Sequence, residues 1–295
     1  MTNPNIALII KQIDSFPALP STVIRVLEIT GNPESSAHEL MQAILPDQSI
    51  CVSILKVANS AFFGRPRVVC SIEEAVVVLG FQEIRNIILT QAVFNSFRKF
   101  RNTNKQDIDT LWQHSLTCGL AAKIIALHTT EYSPSQLFIA GLIHDIGKLT
   151  LLISFPNYFS PVPETSEHLS LSLSSAEEEK FGISHDNIGM RLLHRWLFPE
   201  QLCASTGYHH HPKTAPGNTE FALIVQMADI LSHCVCSTEA MNGQEILDLI
   251  KKLTPESTLL WSSYNFHWQQ EDIDNWLTDL RTDLADGALL NIFNA

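Results

Sequence analysis

Apolar residues recur every three to four positions along most of this 295-residue chain, the period of a helix with one buried face. Capping-box spacings open several of these segments, at Ser36-x-x-Glu39, Ser71-x-x-Glu74 and Ser175-x-x-Glu178. Gly31, Gly80 and Gly182 stand where helices would stop. Pro17, Pro20, Pro33, Pro46 and Pro66 separate the early segments. No sustained two-residue alternation flanked by hairpin turns calls for a sheet. The pattern therefore predicts an all-α fold built from helices of about 8 to 16 residues. No fixed-period repeat is evident. The Ser-rich stretch from Ser166 to Ser175, preceded by Pro156, Pro161 and Pro163, reads as a long surface loop, either an ordinary connection or a lid.

The chemistry enters where polar residues interrupt apolar faces. Residues 138 to 152 carry His144-Asp145 and Lys148 within an otherwise apolar helical stretch. Burying such groups unpartnered costs several kcal/mol, so they are expected to be hydrogen-bonded, charge-paired or metal-bound. His114 shares a face with Leu111, Cys118 and Ala121. His185, after a plausible N-cap at Ser184, shares one with Ile188, Leu192 and Trp196. Asp229 lies on the stripe of Ala222 and Val225, and His209-His210 precede the helix-ending Pro212. Any one of these histidines could be a hydrogen-bonded core residue, but together they form a set of imidazoles and carboxylates suited to Fe, Mn, Zn, Ni or Co. His211 reads as a solvent-facing extra. His38, His128, His168, His194, His233 and His267 read as structural or surface residues.

Composition narrows the class. With 45% hydrophobic residues, 12 Gly and 14 Pro, the chain can bury a substantial core. The six Cys include no C-x-x-C pair, and most fall in apolar stretches, as reduced cytosolic thiols would; Cys234 and Cys236 could instead bind metal or be redox-active. No charged region followed by an apolar run opens the chain, so no secretory signal is expected. The longest apolar stretch, 137 to 153, is short for a span of about 20 residues and is interrupted by His, Asp and Lys. A cytoplasmic protein without a membrane partner is therefore expected. The net charge of −12 resides wholly after residue 100, because the first hundred residues balance 8 basic against 8 acidic side chains. Such a surface argues against nucleic acid as a partner.

Taken together, His114, His144-Asp145, His209-His210, Asp229 and Gly147-Lys148 resemble the HD superfamily of metal-dependent phosphohydrolases. Phe16-Pro-Ala-Leu-Pro20, Ile54-Leu-Lys-Val-Ala-Asn-Ser-Ala61 and Ser71-Ile-Glu-Glu-Ala75 leading to Leu79-Gly80 narrow the resemblance to the HDOD domain, a bacterial signalling module related to the HD-GYP cyclic-di-GMP phosphodiesterases. That resemblance covers about residues 15 to 235. It implies an HD-type multi-helix bundle with an N-terminal helical subdomain. It also implies one or two divalent transition-metal ions held by His114, His144, Asp145, His185, His209, His210 and Asp229, with Lys148 facing phosphate. Asp145 would bridge the metals, and with Lys148 would be the catalytic pair if hydrolysis occurs. Two departures stand out. The segment His211-Pro-Lys-Thr-Ala-Pro-Gly217 lacks Gly-Tyr-Pro, which argues against cyclic-di-GMP hydrolysis, and position 110 is Thr where three-metal relatives carry Glu.

The expected organisation is an N-terminal helical subdomain over 1–103, a metal-site subdomain over 104–235 and a C-terminal helical extension over 236–295, with a polar linker from Arg101 to Asp107. Asn59-Ser60 and Phe62-Phe63 could form a partner surface or simply pack. The extension, with Leu259, Leu260, Trp261, Trp268, Trp276, Leu289, Leu290 and Phe293, should pack on the metal-site subdomain or form a homodimer contact. Two functions follow. One is a signalling or regulatory module with protein partners or a small phosphate-containing ligand. The other is a phosphohydrolase or phosphodiesterase acting on a nucleotide or cyclic nucleotide.

Overall fold

A computed structural model describes residues 4–16, 18–59, 68–100, 105–129, 132–155, 171–237 and 241–286. Every regular element among them is helical. In order they are α1 (Pro4–Ser15), α2 (Ser21–Gly31), α3 (Ala37–Ile44), α4 (Gln48–Ala58), α5 (Ile72–Phe100), α6 (Lys105–Thr129), α7 (Pro134–Ile143), α8 (Ile146–Ser154), α9 (Leu171–Phe181), α10 (His185–Arg195), α11 (Glu200–Tyr208), α12 (Thr219–Cys236), α13 (Gly243–Leu253), α14 (Pro255–Trp261) and α15 (Gln270–Asp286). Short 3-10 turns cover Pro212–Thr214 and Ser262–Tyr264.

The chain divides into two compact units, one of Met1–Phe16 with Phe100–Thr282 and the other of Pro17–Lys99 with Asp283–Ala295. The sequence placed the whole of 1–103 together. The structure instead groups α1 with the later helices, because Ile9, Ile13 and Phe16 are buried and the Phe16 ring meets Trp196 edge-on at 6.2 Å. The Asp14 carbonyl oxygen also accepts from Arg195 at 2.8 Å.

In the Pro17–Lys99 unit, the Ser36–Glu39 capping box forms as expected. Ser71 caps α5 by accepting from the Glu74 amide at 3.1 Å. α5 is broken at Gly80, where φ is 79°. Asn59 closes α4 onto the following strand of chain, exchanging two 2.8 Å hydrogen bonds with Val69. Ser60, Phe62 and Phe63 lie outside the described residues, as do Pro17, Pro66, Arg101 to Asn104, Leu289, Leu290, Phe293 and the 156–170 segment.

The other unit is built around α6, α7 and α12, with α8, α10 and α11 completing the wall of the site and α1 packed on α8 and α10. Close approach explains the choice of glycine at two positions. A methyl group at Gly141 would lie 2.6 Å from the Cys118 carbonyl oxygen, and one at Gly147 would overlap that of His185. These contacts draw α7 onto α6 and α8 onto α10. The C-terminal helices belong to this unit. Trp261, Phe266, Trp268 and Trp276 are buried in a ring cluster, and Lys213 and His128 reach Glu256 and Asp279 at 3.7 and 3.4 Å. Among the described residues, three stretches, 72–95, 134–154 and 219–236, are each long and apolar enough to cross a membrane. The second is interrupted at His144-Asp145, and 89% of its most apolar window is buried against protein.

Two local expectations fail. Ser175–Glu178 opens no helix, since α9 begins at Leu171 and runs through both, taking the end of the expected Ser-rich loop with it. The expected linker also shortens, because Lys105 to Asp107 already belong to α6.

Candidate metal centre

The His144-Asp145 pair does not lie within one continuous helix, as its apolar context suggested. It forms the joint between α7 and α8, with His144 closing the first and Asp145, at φ −100° and ψ 12°, opening the second. The break turns the Asp145 carboxylate so that its two oxygens face different partners. Oδ2 lies 3.4 Å from Nε2 of both His114 and His144, and Oδ1 lies 3.2 Å from His185 Nε2 and 3.9 Å from His209 Nε2. Lys148, one turn on, donates to Oδ2 at 2.5 Å.

On the first side, Asp229 Oδ1 from α12 stands 3.1 Å from His114 Nε2 and 3.4 Å from His144 Nε2. On the second, His185 Nε2 and His210 Nε2 face each other at 2.9 Å. All seven sequence-selected ligand candidates are thereby brought together, with Lys148 beside them. His211 lies apart and is exposed. Six of the seven candidates are at most 4% exposed, while the His114 side chain retains 16%.

Backing groups orient the imidazoles. Nδ1 of His144 faces the Gly141 carbonyl oxygen at 2.7 Å, that of His209 the Thr206 carbonyl oxygen at 2.8 Å, and that of His114 the Ser232 hydroxyl at 3.2 Å. Each contact favours a proton on Nδ1 and turns Nε2 inward, the atom that would face a metal. His185 is held differently. Glu177 Oε2 accepts from both its backbone N–H and its Nδ1–H, each at 2.6 Å. That carboxylate, and not the expected Ser184 side chain, caps α10.

Electrostatics follow from this crowding. Burial raises the Asp145 carboxyl, but the charges of His144 and Lys148 and hydrogen bonds from His114 and His144 outweigh it and hold the group well below the usual carboxylate range. Burial likewise raises Asp229, and hydrogen bonds from His114, His144 and His233 bring it well below. Burial lowers His185, but the Glu177 carboxylate lifts it to about 9; for His144, Asp145 plays the same part against burial. For His209 the opposing pull of Asp145 and Asp229 is outweighed. Burial and the charges of His144 and His185 press it down to about 3, and His210 is also driven well below normal. Lys148, lowered by burial, is raised on balance by Asp145 and Asp229.

The donors fit a metal. Asp145 Oδ1 and His209 Nε2 are buried without a hydrogen-bond partner, an arrangement that ordinarily costs about 1 to 3 kcal/mol per group and that a cation would relieve. Three overlapping sets bring candidate ligand atoms within 4.8 Å of one another: His185/His209/His210, His114/His144/Asp229 and His144/Asp145/His209. Two nitrogens on one ion at about 2.1 Å each, at right angles, stand about 3 Å apart, the spacing found between His185 and His210.

The sequence reading missed two residues. His233, taken as structural or surface, lies 3.4 Å from Asp229 Oδ1 and 4.5 Å ring to ring from His114. Its signal was the four-residue spacing from Asp229 on α12. Glu177 was hidden in the run Glu177-Glu178-Glu179. Its signal was its place between Ser174 and Phe181, all three of them buried on one face of α9.

The helical fold agrees with the comparisons. The HDOD domain family matches residues 16–212, and the chain belongs to that family. An uncharacterised protein of Treponema pallidum (strain Nichols) is 25% identical over 211 residues; the match covers 71% of this chain but only 40% of that protein's length. Among solved structures, an HDOD domain protein of unknown function from Geobacter sulfurreducens aligns with a TM-score of 0.71 at 24% identity, covering 99% of this chain and 96% of its own. A protein provisionally assigned as a metal-dependent phosphohydrolase from Shewanella amazonensis SB2B aligns at 0.61 and 23% identity, covering 92% and 97%.

Proposed function

We propose that this chain is a regulatory HDOD module that retains an HD-type metal centre, one or two first-row transition ions held by His114, His144, Asp145, His185, His209, His210 and Asp229. The observation that carries this reading is enclosure. Seven donors converge, yet apart from His114 they and Lys148 are no more than 5% exposed. Lys148 spends its charge on Asp145 instead of facing outward. Such a centre suits a structural or ligand-sensing part in signalling, with a protein partner or a small phosphate-containing ligand acting on the domain from outside.

A second reading is favoured by the split allegiance of Asp145, whose two oxygens face two imidazole sets. A carboxylate so placed would bridge two ions. Bound there, the ions would supply a water acidified enough to attack phosphorus. Asp145 would fix their separation, Lys148 would offset charge on phosphoryl oxygens, and the buried walls would exclude bulk water.

The purified protein, loaded with Mn or Fe, and its Asp145→Asn variant decide between the two. The regulatory reading expects near-stoichiometric metal in the wild type, no turnover of cyclic-di-GMP and at most weak hydrolysis of bis(p-nitrophenyl) phosphate. Metal-dependent turnover of a cyclic dinucleotide or nucleotide at about 1 per second or faster, lost in Asp145→Asn, would establish the hydrolase instead. Metal content below about a tenth per chain, unrecovered on adding Fe or Mn, would refute both.

A further inference from the structure

We infer that the two metal positions are unequal, and that Glu177 is the positioning residue that makes them so. The position formed by His185, His209, His210 and Asp145 Oδ1 is the tight one, and the position formed by His114, His144, Asp229 and Asp145 Oδ2 exchanges its ion. The inference rests on the metal-centre reading above and adds an order to it.

Three observations carry it. The first is the backing of the imidazoles. His144 and His209 lean on neutral carbonyl oxygens and His114 on a hydroxyl, whereas His185 leans on a carboxylate. A carboxylate facing Nδ1–H draws the proton toward itself and makes Nε2 a stronger donor to a metal. Because the same Glu177 oxygen also accepts from the His185 backbone N–H, the ring is fixed at its root as well as at its edge.

The second is the donor count. The Glu177 side gathers three imidazoles within reach of one another, two of which, His185 and His209, also face Asp145 Oδ1, and nitrogen-rich sets favour the later first-row ions. The third is access. His185 and His209 are fully buried and His210 nearly so, while His114 is the one ligand candidate whose side chain is open to solvent, at 16%. An ion leaving the centre therefore has its shortest route past His114. Glu177 itself is 2% exposed on a helix whose other side, at Ser175, Ala176, Glu178 and Glu179, faces water. A buried carboxylate on so polar a helix is best explained by its partner.

The test is a titration of the chelator-stripped protein with Co2+, followed by visible absorption, with bound metal counted by elemental analysis. The wild type should take up two ions in two resolved steps. Glu177→Gln keeps an acceptor for the backbone N–H but removes the charge. It should weaken the tighter step by about 10- to 100-fold and leave the weaker within about threefold. His114→Ala should abolish the weaker step and spare the tighter. A merely structural Glu177 would weaken both steps alike; the melting midpoint of the metal-free protein, which Glu177→Gln lowers because His185 loses its charge partner, is measured beside the titration so that lost folding and lost affinity are told apart. Should Glu177→Gln not fold, Glu177→Asp, which keeps the charge but shortens its reach to the His185 ring, should weaken the tighter step and leave the weaker within about threefold.

Two ions of one affinity class would overturn the inference while leaving the metal-centre reading intact. So would loss of the tighter step in His114→Ala, or equal weakening of both steps, or of neither, in the Glu177 variant. Absence of any Co2+ uptake by the wild type would refute the metal-centre reading, and this inference with it.

Discussion

At the scale of single residues, Asp145 shows how backbone geometry sets chemistry. A carboxylate at the joint of two helices presents its oxygens to opposite sides, which the same residue inside one helix could not do as freely. Its contact with Lys148 is a buried ion pair, and removing one partner strands the other. Lys148→Met should therefore cost about 3 to 5 kcal/mol in chelator, and clearly less once the site is loaded, because bound metal supplies the missing positive charge. Urea unfolding with chelator and with saturating Mn2+ measures both. The histidines predict a pH profile for the metal-free protein. His185, raised from 6.5 to about 9, contributes stability that is complete below pH 6.5 and is lost as pH rises through 9. His209, lowered to about 3, contributes stability present above 6.5 and lost as pH falls toward 3. The melting midpoint in chelator should accordingly peak near pH 6.5 and fall on both sides. A flat profile from pH 5 to 9 would contradict these environments.

At the scale of elements, the helical class and the ligand-bearing segments were legible because each rests on a period that a sequence displays directly. His114, His185 and Asp229 could be placed on inward faces from neighbours three and four residues away. The Ser36–Glu39 box was legible for the same reason. The capping box at Asn242–Glu245 obeys the same geometry with Asn as the cap residue, outside the Ser-based spacings that marked helix starts in the sequence. Tertiary choices were hidden. Nothing local in Ser175–Glu178 shows that α9 already runs through it, and nothing in Glu177 shows that its partner is His185, eight residues on across a turn. The break at His144-Asp145 was masked by apolar residues on both flanks. The glycines of the site were legible only as glycines, since their reason is a neighbouring helix. Gly147→Ala should force α8 away from α10 and cost about 2 kcal/mol or more, with loss of bound metal, because Asp145 and His185 part with the helices. Thermal melting in chelator and elemental analysis report the two effects separately.

At the scale of the whole molecule, the unit that carries the donors does not end with them. α14 packs on the 3-10 turn that follows His210, and the tryptophan cluster of the last helices is buried within the same unit. Truncation after Ser237 should lower the melting midpoint by more than about 5 °C and weaken metal retention, and a fully stable, metal-competent fragment after limited proteolysis would contradict this. The same unit is discontinuous, since residues 17–99 leave it after α1 and the chain returns at α6. α1 is made before the rest of its unit, yet the helices that bury Ile9, Ile13 and Phe16 emerge from the ribosome more than a hundred residues later. During synthesis that apolar face waits in water while an entire second unit forms behind it. The slow step of assembly should then be the docking of α1, a late closure over long sequence distance that chaperones would be positioned to guard.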